Sequence, residues 1–502
     1  MALTGKAGPQ TVSVYRNLIR HTSIYAVALV ARRLASVFLL PVYTRYLTPS
    51  DYGVTELLDL MSGILTAVFA GRLADGLMYF YAHAKSDEEK VRITHTALLT
   101  GHFFGLVGGV LGWLAAPWAS LLMFQSRDYT FFCRLVFISY AFILPGEVGF
   151  GYLRARNRSS AAMVLSVLRL AVNVGATVAL LVGYRMGISA ILYSALIASV
   201  LVAVYMDVTL LRGPITLDRG LAVRLCRYSF PIGLSAFGIG FIHSGDRFFL
   251  QRYATLADVG LYGLAYKLGM LVGYVQVPFE TYWDAQVFHV VRENSGDRHF
   301  VRMLTYFVLA LFGAATAISL FAAPVLRIFT TGPFHSAALL VPVIAFAYAV
   351  RGPGDYFRSV FAISNQPSKN VTVTLLGVAL TVVSYLALIP PYRAWGAAAA
   401  TAITFLGMGM IAYWQAERIR KFRYEWRRML QIALSSIGVV VAAILMRPDS
   451  LFGQLAFASL GTLAFPTVLY VTGFFEPAEL AELRSQLQTL LPAPKMAPSS
   501  EE

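Results

Sequence analysis

Long apolar blocks alternate with short polar breaks along this chain from residue 22 to residue 474. A membrane span needs roughly 20 mostly apolar residues, and blocks such as 97–123 and 371–390 meet that length. Read between the polar breaks, the pattern predicts about fourteen transmembrane helices, near 22–46, 52–80, 93–122, 130–153, 160–184, 188–211, 228–251, 258–287, 303–326, 336–363, 370–390, 395–415, 429–446 and 453–474. The fold class is therefore all-α and integral to the membrane. The loops are short, and none is long enough to hold a catalytic domain.

Composition sharpens the picture. Only 13% of residues are charged and 57% are hydrophobic, with a mean hydropathy of +0.64. A soluble domain carries about 25% charged residues, so this chain has too little polar surface to be one. The formal charge of +15 does not mark a nucleic-acid binder, because the basic residues sit in short segments between apolar blocks. Cys133 and Cys226 lie too far apart for a CxxC metal site and make no disulfide framework. The first apolar block carries Arg32 and Arg33 and is too long for a signal-peptide core, so no cleavable signal is expected.

Charge also orients the chain. With the N-terminus inside, inside segments hold 25 Lys and Arg and outside segments hold 7, one per loop. Short loops rich in Lys and Arg stay cytoplasmic, which predicts N-in, C-in topology and an even number of spans.

The chain repeats internally. Arg45-Tyr46-Leu47-Thr48-Pro49-Ser50-Asp51-Tyr52-Gly53 returns as Arg252-Tyr253-Ala254-Thr255-Leu256-Ala257-Asp258-Val259-Gly260, with Arg, Tyr, Thr, Asp and Gly matched at an offset of 207 residues. Six predicted spans separate the copies, so both face the same way. That makes two parallel six-helix lobes about a pseudo-twofold axis along the membrane normal, 12–211 and 212–415, followed by an extra helix pair at 416–474 and an amphipathic helix and tail at 475–502. Pro145-Gly146-Glu147 also lines up with Pro353-Gly354-Asp355. Matched Pro/Gly pairs predict either broken helices beside a central site or proline kinks that shape the lobes.

Nine basic residues remain inside the spans. An arginine at the bilayer centre costs about 2.5–3.5 kcal/mol on insertion scales and faces a cavity or a partner. Arg32 and Arg33 lie near the middle of the first span, and Arg169 has no acid three or four residues away. Arg72 and Asp75 either neutralise each other or touch a ligand. Arg247 lies near a span end and can snorkel; Lys267 is deeper, and Arg351 precedes the Gly-Pro-Gly run and reaches toward Asp355. Glu280 and Asp284 share a helix face, where like charges raise a pKa; they form a proton or cation site unless Asp284 already meets water. Candidate cavity cations are thus Arg32, Arg33, Arg72, Arg169, Arg247, Lys267 and Arg351, and candidate ion-coupling acids are Asp75, Glu147, Glu280, Asp284 and Asp355. A cationic cavity suits an anion, and guanidinium forks match phosphate oxygens.

Leu40-Pro41-Val42-Tyr43-Thr44-Arg45 together with the first repeat copy resembles the N-terminal signature of the polysaccharide-export branch of the multidrug/oligosaccharidyl-lipid/polysaccharide (MOP) superfamily. Asp246-Arg247-Phe248-Phe249-Leu250 and Val259-Gly260-Leu261-Tyr262-Gly263-Leu264-Ala265-Tyr266-Lys267 resemble the start of that family's second lobe. The resemblance implies a Wzx-like flippase rather than an enzyme. It would move an undecaprenyl-pyrophosphate-linked oligosaccharide (an O-antigen, capsule or exopolysaccharide repeat unit) from the cytoplasmic to the periplasmic leaflet by alternating access. Membrane lipids and other polysaccharide-assembly proteins are the further partners it implies, with no cofactor beyond coupling to H+ or Na+. Twelve spans are usual in that branch, so the extra pair makes the chain similar to fourteen-span lipid II flippases and keeps a peptidoglycan precursor as an alternative. A MATE-like drug or metabolite exporter is a second alternative, against which the basic excess in the spans argues. A membrane glycosyltransferase or polymerase is a third, and it lacks its large loop.

Overall fold

The computed structural model describes residues 39–67, 71–290, 296–446, 448–477 and 479. Arg32 and Arg33, most of the predicted first span and most of the C-terminal amphipathic helix lie outside the described residues.

The described residues form sixteen α-helices. In the first half these are α1 (Leu40–Tyr46), α2 (Pro49–Leu65), α3 (Gly71–His83), α4 (Asp87–Phe124), α5 (Thr130–Ala155), α6 (Ser159–Val178, prolonged by a π-helical turn, Ala179–Gly183) and α7 (Ile188–Leu210). The second half begins with α8 (Arg219–Ser244), α9 (Asp246–Tyr253), α10 (Leu256–Gly269), α11 (Val272–Val290) and α12 (Gly296–Phe329). A 3₁₀ segment, Gly332–Leu339, leads into α13 (Val341–Ile363), followed by α14 (Ser368–Glu417), α15 (Trp426–Leu445) and α16 (Leu451–Val471).

Among these, nine helices are long and apolar enough to cross a membrane, and the 3₁₀ segment with α13, bent by 42°, makes a tenth. The chain is a multi-pass membrane protein. The predicted spans 228–251 and 258–287 are each divided, the first at Gly245 between α8 and α9, the second between α10 and α11. By contrast, α14 covers two predicted spans. Pro390 and Pro391 remove two backbone donors and Arg393 takes φ +50°, so the chain folds back. Gly377 then faces Met408 and Gly407 faces Leu380 across the two limbs. Helices α15 and α16 pack on α12.

Both repeat copies build the same local structure. The Thr48 hydroxyl accepts the Asp51 N–H at 3.1 Å while Asp51 accepts the Thr48 N–H at 2.9 Å. Thr255 and Asp258 repeat this at 3.2 and 3.0 Å. These reciprocal caps satisfy donors that a helix start otherwise leaves open, which explains why Thr and Asp recur. The matched glycines have another cause: α2 and α10 cross backbone to backbone. A Cβ on Gly53 would fall 1.9 Å from the Leu256 carbonyl oxygen, and one on Gly260 would fall 2.1 Å from the Pro49 oxygen. Since 49 and 53 correspond to 256 and 260, each copy touches its counterpart in the same way.

The second matched motif behaves differently from the broken helix that proline and glycine can produce. Pro145 and Pro353 lie inside α5 and α13, which continue through them. Pro145 frees the carbonyl of Ala141, four residues earlier. Gly105 of α4 lies directly against that group, where a Cβ would sit 2.7 Å from the oxygen. Gly354 packs on Gly409, with a Cβ contact of 2.8 Å to its Cα. The glycines thus serve close helix packing, as they commonly do in membranes.

Gly53→Ala and Gly260→Ala should each cost about 1–3 kcal/mol by overpacking the crossing. Gly63→Ala in the same helix α2 meets nothing within 4 Å and should be neutral or stabilising by about 1 kcal/mol. Thermal unfolding of the purified variants checks the contrast.

Candidate functional site

Glu56 lies on α2, one turn beyond the glycine crossing, and its side chain is only 4% exposed. A lone carboxylate there would be costly, and two groups from the second half answer it. Arg247 Nε donates to Glu56 Oε2 at 3.0 Å, and Lys267 Nζ reaches Glu56 Oε1 at 2.6 Å. Arg247 Nη1 also donates to Asp246 Oδ1 at 2.8 Å, and Tyr262 donates to Asp246 Oδ2 at 2.5 Å. Lys267 donates as well to Tyr52 at 2.9 Å. Two acids and two bases leave the cluster formally neutral. Gly263 makes room for it, since a Cβ there would fall 2.5 Å from Glu56 Cγ and Cδ. The Arg247 guanidinium stacks 4.4 Å from the Tyr266 ring centre, a contact that favours a desolvated cation.

A cleft of about 190 Å³ adjoins this cluster between α2 and α8, lined by Glu56, Asp59, Gly63, Phe237, Gly240, Ser244 and Arg247. A second cavity of about 100 Å³ lies among α8, α13 and α14, lined by His243, Arg351, Asp355, Arg358 and Thr374. The two are linked through His243. Its carbonyl accepts from Arg247 Nη1 at 3.2 Å, and its Nε2 lies 3.2 Å from Arg351 Nη1. Arginine only donates, so Nε2 accepts and the ring proton sits on Nδ1, 3.3 Å from the Tyr348 hydroxyl. Tyr348 then donates to Tyr266 at 3.1 Å. Arg351 Nε holds Asp355 at 3.0 Å, and Gln276 donates to both Asp355 at 2.8 Å and Glu280 at 2.6 Å.

The structure thus gathers Arg247, Lys267, Arg351, Glu280 and Asp355 into one polar network. Arg247, read as able to snorkel from a span end, is instead buried at 7% exposure and ion-paired. Arg72 and Asp75 form their own pair at 2.9 Å, each about one-third exposed. Arg169, without an acid on its own helix, meets Glu147 of α5 at 3.2 Å. Among the described residues no ion pair or hydrogen bond joins these two pairs to the network. Glu280 bonds Gln276 rather than Asp284, which is exposed on the next turn. Every described candidate cation therefore has an acidic partner. Glu56, Asp246 and His243 are additions the sequence reading missed. The available signal was a carboxylate deep in an apolar block, which by itself marks a functional position.

Residues 18–281, just over half the chain, match the model of the family described as polysaccharide biosynthesis protein. The chain belongs to that family. Its fold is shared with lipid II flippase MurJ in an inward closed conformation, at a TM-score of 0.73 and 13% identity over 90% of this chain and 99% of that one. It is shared as well with an inward-facing multidrug resistance MATE family transporter of the MOP superfamily, at 0.63 and 15% over 77% and 94%, and with MATE in the straight conformation, at 0.53 and 17% over 80% and 95%. No curated protein matches the sequence. The resemblance read from residues 40–53 and 246–267 is borne out, and the family member has the MOP transporter fold.

Removing one partner of a buried ion pair costs about 3–5 kcal/mol. Glu56→Gln should lower thermal stability by that order, and Glu56→Gln combined with Lys267→Met should recover part of it. Unfolding curves of the single and double variants test the coupling.

Proposed function

We propose that this protein is a flippase for an undecaprenyl-pyrophosphate-linked oligosaccharide, carried between leaflets by alternating access. The observation that carries the reading is the polar cleft between the two halves, at whose edge Arg247 and Lys267 are held by Glu56. A lipid pyrophosphate presents about two negative charges, the number those two cations balance in Glu56 and Asp246. When the phosphates compete for Arg247 and Lys267, Glu56 loses its partners and the α2–α10 crossing loses its ionic support. Binding in the cleft then favours separation of the halves at that end, because the ligand interacts better with the open state. Membership in the polysaccharide biosynthesis family supports the glycan-bearing substrate.

A lipid II-type peptidoglycan precursor is the second reading, favoured by the 0.73 TM-score to lipid II flippase MurJ over nearly the whole of both chains. Both lipids share the pyrophosphate, so the same cleft serves either. A drug exporter fits less well, since its mostly cationic substrates would compete with the cations already in the network. Coupling to H+ or Na+ would fall to the acids of that network, Glu280 and Asp355.

Vesicles reconstituted with the protein test the proposal. They should flip a fluorescent undecaprenyl-pyrophosphate-linked oligosaccharide at least tenfold faster than protein-free vesicles, and faster than lipid II or a cationic dye. Equal rates with and without protein would overturn the reading, and preference for lipid II would select the second. Arg247→Gln and Lys267→Gln should each abolish surface polysaccharide while the protein still inserts. Normal export in both would count against cavity cations as the phosphate grip.

A further inference from the structure

The connection between α14 and α15 joins two apolar spans, so it lies at the membrane surface. It is the most basic stretch of the chain, with Arg418, Arg420, Lys421, Arg423, Arg427 and Arg428 inside eleven positions. Residues 420–425 are not helical, and their burial alternates: Phe422 and Tyr424 are buried while Lys421 and Arg423 are exposed. The inward rings are clamped. Phe422 stacks on Phe300 at 4.3 Å between centres, and Tyr424 meets Phe357 at 5.3 Å. An extended segment pinned on one side must present its other side chains outward.

Acids nearby leave most of this charge unanswered. Arg420 takes Asp297 at 2.6 Å, and Arg428 takes Glu425 at 3.2 Å and Glu479 at 2.9 Å. Glu417 lies beside Tyr413. Among the described residues Arg418, Lys421, Arg423 and Arg427 form no ion pair. The Arg418 guanidinium lies over Trp414, 3.4 Å from the ring centre. Trp414 and Trp426 are both exposed near the facing ends of their helices, and indoles favour the headgroup layer.

We propose that this segment is a binding site for anionic phospholipid headgroups, in which Arg418, Lys421, Arg423 and Arg427 take the phosphates and Trp414 and Trp426 set the depth. Basic clusters immediately beside a span attract acidic lipids, each charge strengthening binding roughly fivefold. A lipid occupant fits better than a soluble anion because the indoles place the cations where acyl chains enter the bilayer. The site is separate from the cleft between the halves and does not depend on what that cleft carries.

Native mass spectrometry of the purified full chain, titrated with phosphatidylglycerol and with phosphatidylcholine, tests it. The first phosphatidylglycerol should bind at least tenfold more tightly than phosphatidylcholine, and the preference should shrink as ammonium acetate is raised. The variant R418Q/K421Q/R423Q/R427Q should bind both lipids alike. The variant R418K/R423K/R427K keeps the charge and should keep the preference, which separates lost charge from lost fold. No preference in the unmodified chain, or a preference that survives in the neutral variant, would overturn the proposal. So would displacement of the lipid by glycerol phosphate at comparable concentration, since the ligand would then be a free phosphate.

Discussion

A carboxylate cannot stay ionised in hydrocarbon unless something answers it, and Glu56 is answered by Arg247 and Lys267 from the other half of the chain. Much else in the molecule is arranged around that requirement. Gly263 gives up a side chain to admit the glutamate, and Gly53 and Gly260 give up theirs so that α2 and α10 come close enough for the ions to meet. Asp246 and Tyr262 hold Arg247 from behind. A junction built from paired charges is strong only while every partner is present.

The helical plan could be read from the sequence because hydrocarbon imposes one rule: backbone groups must be satisfied within the segment. Apolar block length therefore reported the spans between 93 and 211 and the two limbs of α14 well, but not the breaks that divide 228–251 and 258–287. The repeat was legible for a related reason, since Thr48/Asp51 and Thr255/Asp258 are local caps with fixed spacing. What stayed hidden was every contact made across distance in sequence. Arg169 finds Glu147 on a neighbouring helix, and Glu56 finds Arg247, 191 residues away. The fate of Pro145 was equally non-local: Gly105 on another helix decides that α5 tolerates it. Spacing along one helix cannot report these, whereas counting acids inside apolar blocks would have added Glu56 and Asp246 to the candidates.

Charge is handled in two ways in this protein. Within the spans the described candidate cations are met by carboxylates, so the interior network is held near neutrality and adding or removing one charge is felt. Around the connection between α14 and α15, Arg418, Lys421, Arg423 and Arg427 form no ion pair among the described residues. Family membership and the MOP transporter fold bring these together in a chain whose polar chemistry is concentrated between two halves.

The α2–α10 crossing has one more consequence. Gly53 touches residue 256 and Gly260 touches residue 49, the reciprocity of an isologous dimer interface, where one surface serves as both partners. Because both copies lie in one polypeptide they need not be identical, so Glu56 on one side faces Lys267 on the other without either side having to carry both.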